Sequence, residues 1–187
     1  MRRGLLTLAF ATAVLSTAGG CSDPGEEKSG VAALVPFVVE RSVRPKGDAT
    51  PTSEQAAIQS LLGANRAEFN TRFETLTAEA TPLQVTKVLN GYVEAVEKLD
   101  VSGCPLGVRA AFKRQVKDWK ALTAALRSLP NAYDDVEFME MLQSLFQNAS
   151  ERGKPLGADV GNAVKAVNKS LGELHAAAEK AGMELVK

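Results

Sequence analysis

Histidine is nearly absent from this sequence, since His175 is the only one among 187 residues, beside two cysteines and one tryptophan. A catalytic site usually needs a base, and histidine is the side chain that most often supplies it. The sequence also lacks C-x-x-C-H and H-E-x-x-H motifs, a glycine-rich phosphate loop and a nucleophile elbow. These absences argue against an enzyme, and we expect neither a metal nor a cofactor.

The chain also has no excess of positive or negative charge, because 22 basic residues are balanced by 22 acidic ones. Nucleic-acid binding rewards clustered Lys and Arg, so this balance argues against a nucleic-acid partner. The apolar run from Leu5 to Leu15 is shorter than the roughly 18 to 20 residues that cross a bilayer as a helix. No later run is long and apolar enough, so a permanent transmembrane anchor is not expected.

The first 20 residues have the order of a secretory signal peptide. Arg2 and Arg3 form a charged start, the run from Leu5 to Leu15 follows, and small residues occupy positions 16–20. The sequence therefore predicts export, with residues 1–20 removed.

The end of this leader resembles the lipobox of bacterial lipoproteins. Ala18, Gly19 and Gly20 precede Cys21, although Ala18 stands where Leu is usual. The resemblance implies that Cys21 is diacylated on sulfur and anchors the mature protein to a membrane of the cell envelope. Because more than one acyl chain gives stable anchoring, such a protein would remain at the membrane. The alternative is cleavage after Ala18, which would secrete a soluble protein carrying a free Cys21.

Residues 21–50 are predicted to be a flexible tether. Positions 22–30 are small, charged and interrupted by Pro and Gly, a composition that does not bury enough surface to order. Residues 31–39 are apolar, and Pro36 argues against a helix or a central strand there. This short segment is interpreted either as a strand-like piece docked on the domain or as a partner-binding peptide.

Helix-start signals and apolar periodicity divide the domain, residues 51–187, into helices. Thr52 with Gln55 and Thr81 with Gln84 have capping-box spacing, and Pro105 suits the first position of a helix. Apolar residues recur at three- and four-residue steps after each start, as on an amphipathic helix. The sequence predicts an all-α fold, an antiparallel bundle of four to five helices over about 52–79, 81–99, 105–129, 134–152 and 158–182.

The last helix carries a heptad seam whose apolar residues alternate steps of four and three. Its members are Val160, Val164, Val167, Leu171, Leu174, Ala178, Ala181 and Leu185. Gly182 is predicted to end the helix, and glycines 157, 161 and 172 suggest a close backbone approach. His175 falls outside the seam, which weakens a haem or metal site that would pair it with Met139, Met141 or Met183.

The helix at 105–129 has the most basic face in the chain, with six Lys or Arg residues and the single acid Asp118. The candidate contacts for an anionic surface or an acidic partner are Arg109, Lys113, Lys117 and Lys120. A solvated face complemented by neighbouring acidic helices is the alternative.

Cys104 lies just before this helix and is a candidate reactive thiol, because a helix N-terminus lowers a thiol pKa. A small buried loop residue is the alternative interpretation. The segment in which Asp100 precedes Ser102-x-Cys104-Pro105, followed by Phe112 and Trp119, loosely resembles uncharacterised exported bacterial helical proteins. That resemblance implies no activity.

Together these features predict a membrane-tethered, extracytoplasmic helical protein that binds or scaffolds an unidentified protein partner. The alternative is a redox-responsive or cofactor-binding bundle that uses Cys104 or His175. The sequence does not determine the oligomeric state.

Overall fold

A computed structural model describes residues 42–47, 50–76, 80–129 and 157–186, and most of them are helical. The elements are β1 (Ser42–Pro45), α1 (Ser53–Phe73), α2 (Pro82–Val96), α3 (Leu106–Arg127), α4 (Ala158–Lys180) and β2 (Met183–Val186). The predicted helical fold is confirmed by these four helices. The predicted helix at 134–152, the apolar segment 31–39 and Cys21 lie outside the described residues.

Both predicted capping boxes are present. Thr52 Oγ1 accepts a hydrogen bond from the backbone N–H of Gln55, and Gln55 Oε1 accepts one from the N–H of Thr52. Thr81 and Gln84 repeat this exchange at the start of α2, where Pro82 takes the first helical position. Two otherwise unpaired N–H groups are thereby satisfied at each start.

The helix ends differ from the predicted ones. α1 stops at Phe73 rather than near 79, and α2 stops at Val96 rather than at Leu99. Pro105 is the N-cap of α3 and not its first residue. Asn90 and Gly91, a pair that is also typical of hairpin turns, lie inside α2.

Three helices meet at an aromatic cluster formed by Phe69, Phe73, Tyr92 and Trp119. The rings of Phe69 and Phe73 from α1 stack at 4.0 Å between centroids. Tyr92 from α2 stands edge-on to Phe69 at 5.5 Å and to Trp119 from α3 at 5.4 Å. Such edge-to-face contacts add to the free energy gained from burial, so this cluster fixes α1, α2 and α3 against one another.

A buried hydrogen bond supports the cluster. Tyr92 Oη donates to Asn65 Oδ1 of α1 at 2.8 Å, and both residues are almost fully buried. Burial raises the pKa of Tyr92 well above its usual value of 10.0, although the bond to Asn65 opposes part of that shift. The phenol is therefore neutral and acts as a donor.

α4 packs along α3 through the first six residues of the predicted heptad seam, which are all buried: Val160, Val164, Val167, Leu171, Leu174 and Ala178. The last two predicted members do not continue the helix, because Ala181 is its C-cap and Leu185 lies in β2, and both are half-buried. The first half of α3 faces the second half of α4, where Arg114 pairs with Glu173 at 2.5 Å. Among the described residues, a Cβ at glycine 157, 161 or 172 would meet no atom within 4 Å, so this part of the chain shows no close backbone approach there.

The all-α prediction misses one small antiparallel sheet. β1 pairs with β2 in a register that places Ser42 opposite Val186 and Pro45 opposite Met183. Gly182, with φ of 83°, turns the chain out of α4 and into β2. Residues 42–45, which the sequence assigns to the tether, therefore form a strand.

This sheet is held against α1 by two glutamine side chains. Gln59 Nε2 donates to the carbonyl of Val43 at 3.2 Å, and Gln55 Nε2 donates to the carbonyl of Gly182 at 3.1 Å. A side chain at position 182 would place its Cβ 2.9 Å from Gln55 Nε2, so glycine suits both the turn and the contact.

We predict that Tyr92→Phe lowers the free energy of unfolding by about 1–3 kcal/mol, because it leaves Asn65 Oδ1 buried without its donor. Urea denaturation measures the change. In a double-mutant cycle with Asn65→Ala, the two effects should be less than additive, since both variants lose the same hydrogen bond. Additive effects would contradict a coupled pair.

The wild type and Tyr92→Phe also test the raised pKa of Tyr92. The neutral phenol stabilises the fold fully below pH 10.0, and this contribution is lost as the pH rises above that value. The stability difference between wild type and Tyr92→Phe should therefore narrow in strong alkali. A constant difference would show that Tyr92 ionises equally in both states.

Candidate functional site: a lysine-rimmed cleft

Only some of the basic residues on the exposed face of α3 form ion pairs. Lys120 forms an ion pair with Glu97, and Arg114 forms one with Glu173. Lys113 and Lys117 are exposed and have no ion pair within the part of the chain that the structure describes. Two neighbouring ammonium groups on one side of α3 are thus available to a ligand.

The turn after α2 brings apolar side chains to this side of α3. The N–H of Leu99 donates to the carbonyl of Val96 at 3.2 Å and closes the last turn. Asp100 Oδ1 then accepts from the N–H of Ser102 at 2.8 Å, and Cys104 N–H donates to Val101 O at 3.1 Å. These bonds hold the chain in a tight turn, with Leu99 and Val101 half-buried against the core.

A cleft of about 400 Å³ lies between this turn and α3. Its apolar lining consists of Val96, Leu99, Val101, Phe112 and Val116. Lys113, Lys117 and Lys120 line it from α3, and Glu97 lines it from the end of α2. We name it the lysine-rimmed cleft, and its volume lies within the range of small-molecule sites.

The order of residues along α3 explains the arrangement. Phe112 and Val116 are four residues apart and share one face, while Lys113 and Lys117 follow them by one position each. An apolar stripe and a basic stripe therefore run side by side. The cleft can take an apolar group on its lining and an anionic group on its rim.

Asp100 accepts a hydrogen bond that stabilises the turn. The hydrogen bond from the backbone N–H of Ser102, joined by one from its side chain, lowers the pKa of Asp100. The carboxylate thus stays charged and keeps its role as acceptor.

Two larger clefts each hold a single lysine without an ion pair in the described ranges. One of about 710 Å³ lies between α1 and α2, where Lys87 is accompanied by the paired Arg72 and Glu68. Another of about 650 Å³ lies along α3 and α4, where Lys180 is accompanied by the paired Arg114 and Glu173. Of these three clefts, the lysine-rimmed cleft alone places two unpaired lysines beside an apolar lining.

The structure brings together three of the four predicted anionic-surface contacts. Lys113, Lys117 and Lys120 line the cleft, but Arg109 does not. Arg109 lies one turn from the start of α3 and is half-buried. Sequence reasoning missed Val101 as a site residue and assigned Leu99 to a longer helix. The Asp100-x-Ser102 turn signal could have revealed both.

Cys104 is buried and unpaired, and it is not part of the cleft. Burial, followed by the charge of Asp100, raises the pKa of its thiol, and Arg109 only partly offsets these effects. A raised pKa favours the thiol over the nucleophilic thiolate. This environment opposes a reactive role.

Two other residues of the cofactor alternative lie in the described part of the chain. His175 is half-buried on α4, and Met183 is buried in β2. Met139 and Met141 lie outside the described residues. Within the described segments, no group of three or more His, Cys, Asp or Glu residues could hold a metal ion.

The chain matches no protein-family model, no curated protein and no solved structure. Among the residues described, no helix combines the length and the apolar character needed to cross a membrane.

We predict that Cys104 reacts slowly with iodoacetamide in the folded protein and rapidly in urea, because labelling requires an opening that exposes the thiol. Cys21→Ser provides the background, so that only Cys104 is labelled. A matched control places cysteine at exposed Lys165 in a Cys104→Ser protein, where labelling should be fast when folded. Equal folded-state rates for the two cysteines would establish a reactive Cys104.

We predict that Asp100→Ala accelerates hydrogen exchange at the Ser102 amide, because the N–H loses its acceptor. Asp100→Asn is the matched control, since its side-chain oxygen still accepts the bond. In the wild type the protection should be strongest above pH 3.8 and weaken as the pH falls through the lower folded-state pKa, because a neutral carboxyl accepts the bond less strongly than a carboxylate. Unchanged exchange in Asp100→Ala would show that the turn does not need this bond.

Proposed function

We propose that this chain is a lipid-anchored, extracytoplasmic binding protein of the bacterial envelope. Acylated Cys21 holds it at the membrane, and the lysine-rimmed cleft receives its ligand or partner. The anchoring rests on the signal-peptide order of residues 1–20 and on the small residues before Cys21. The binding role rests on the cleft.

The observation that carries the binding role is the pairing of an apolar lining with unpaired lysines. A basic helix face that is only solvated needs no apolar groove beside it. At this site, Leu99 and Val101 extend the core outward, while Lys113 and Lys117 stay exposed and without ion pairs in the described ranges. Apolar surface flanked by a few convergent polar groups is typical of binding sites.

The spacing between anchor and domain suits this role. β1 begins at Ser42, so about 20 residues separate it from Cys21. A chain of this length spans at most roughly 70 Å when fully extended. The domain would therefore remain near the membrane while its cleft stays free to meet a ligand.

The redox-responsive or cofactor-binding alternative has weaker support. Burial and a raised pKa oppose exchange chemistry at Cys104. The geometry of His175 does not favour a cofactor, because the described residues place no metal-ligating cluster around it.

The anchoring is tested by growing cells with an alkyne-labelled palmitate and measuring the intact mass of the purified protein. We expect the wild type and the matched control Cys104→Ser to carry both the palmitate label and the added acyl mass. Cys21→Ser should carry neither. Fractionation should place the wild type with membranes. A soluble, unlabelled protein that begins at Gly19 would contradict the proposal and support secretion after Ala18.

A further inference from the structure

We propose that the lysine-rimmed cleft binds a free amphipathic carboxylate, that is, a single apolar chain that ends in a carboxylate group. The chain lies on the apolar lining, and the carboxylate lies between Lys113 and Lys117. This assignment names the ligand class for the proposed binding function and rests on the cleft being its binding site.

The lining selects an apolar chain. Phe112 and Val116 of α3 line one side of the cleft, and Leu99 and Val101 of the turn line the other, beside Val96 at the end of α2. Leu99 and Val101 are only partly buried, so covering them with methylene groups removes apolar surface from water on both partners. A small inorganic anion would leave that surface exposed.

The rim selects an anionic head group. Lys113 and Lys117 lie one helical turn apart, with a rise of about 6 Å along α3. Neither has an ion pair in the described segments. The two oxygens of a carboxylate can each accept a charge-assisted hydrogen bond from one ammonium group.

Glu97 shows the kind of anion that fits this rim. Its carboxylate is already paired with Lys120 beside the apolar lining. Because Glu97 and Lys120 neutralise each other, Lys113 and Lys117 carry the unpaired charge of the rim within the described residues. A ligand carboxylate would repeat at these two lysines the pairing that Glu97 makes with Lys120.

The size of the cleft favours a small ligand over a macromolecule. Its volume of about 400 Å³ falls in the range of about 300–1,000 Å³ that is typical of ligand sites. A stable protein interface needs about 800 Å² from each partner, which a cleft bounded by one turn and one helix does not provide. A membrane surface could contact the lysines, but lipid head groups would not fill the apolar space between the walls.

The test measures binding of decanoate, below its critical micelle concentration, to the mature chain carrying Cys21→Ser. Titration calorimetry gives the affinity, and amide NMR shifts locate the site. We expect decanoate to bind and to shift residues 96–101 and 112–120. Acetate, which has the head group alone, should not bind detectably, and decylammonium should bind at least about tenfold more weakly than decanoate.

The double variant Lys113→Ala/Lys117→Ala should weaken decanoate binding by about tenfold or more. The matched control is Lys165→Ala/Lys169→Ala, which removes two exposed lysines at the same spacing on α4 and should leave binding unchanged. Lys113→Glu/Lys117→Glu should reverse the preference toward decylammonium. This gain of binding cannot arise from a variant that fails to fold.

Several results would overturn the assignment. Equal effects of the two lysine pairs would show nonspecific charge attraction. Binding to phosphatidylglycerol vesicles without binding to decanoate would indicate a membrane surface. An acidic amphipathic peptide that binds through Lys113 and Lys117, while decanoate does not, would replace the ligand class and leave the proposed binding function intact. Decanoate binding by the Cys21→Ser chain, together with a wild-type protein that carries no acyl group on Cys21, would instead refute only the anchored role.

Discussion

The edge-on contact of Tyr92 with Trp119 and Phe69 is the interaction on which the rest of the structure depends. It is the point where α1, α2 and α3 meet, and the bond from Tyr92 to Asn65 fixes the ring on its polar side. Because the aromatic cluster sets the position of α2, it also sets where α2 ends beside α3. The turn that follows Val96, and hence the cleft, depends on that position.

The cleft combines two features that usually occur apart. Apolar side chains are normally withdrawn into the core, and lysines are normally spread over a solvated face. Here the short turn after α2 carries Leu99 and Val101 outward from the core and lays them beside a basic stripe. Since Glu97 neutralises only Lys120, the charge of Lys113 and Lys117 is left next to an apolar wall. In the proposed binding role, this combination, rather than basic charge alone, would give the cleft its chemical selectivity.

Local signals predicted the four described helices, because capping and periodicity act within a few residues. Thr52 and Thr81 mark their helix starts by hydrogen bonds that reach only three positions along the chain. The sheet could not be predicted in this way, because Arg44 and its partner Glu184 are 140 residues apart. The end of α2 was also missed, since Leu99 continues the apolar phase and only the bond to Asp100 shows that the chain has turned. Three of the site's lysines followed from sequence, but its lining required the tertiary contacts.

The pairing of β1 with β2 joins the first and last elements of the described domain by backbone hydrogen bonds. Ser42 and Val186 are register partners, so the two ends of the domain lie side by side. Closing so long a loop costs little more entropy than closing one half its length, about 0.6 kcal/mol for each doubling. A circular permutant that joins these two ends through a short linker, and opens the chain in an exposed loop elsewhere, would keep every contact among the four helices. The order of elements along the chain is thus separable from the architecture that forms the cleft.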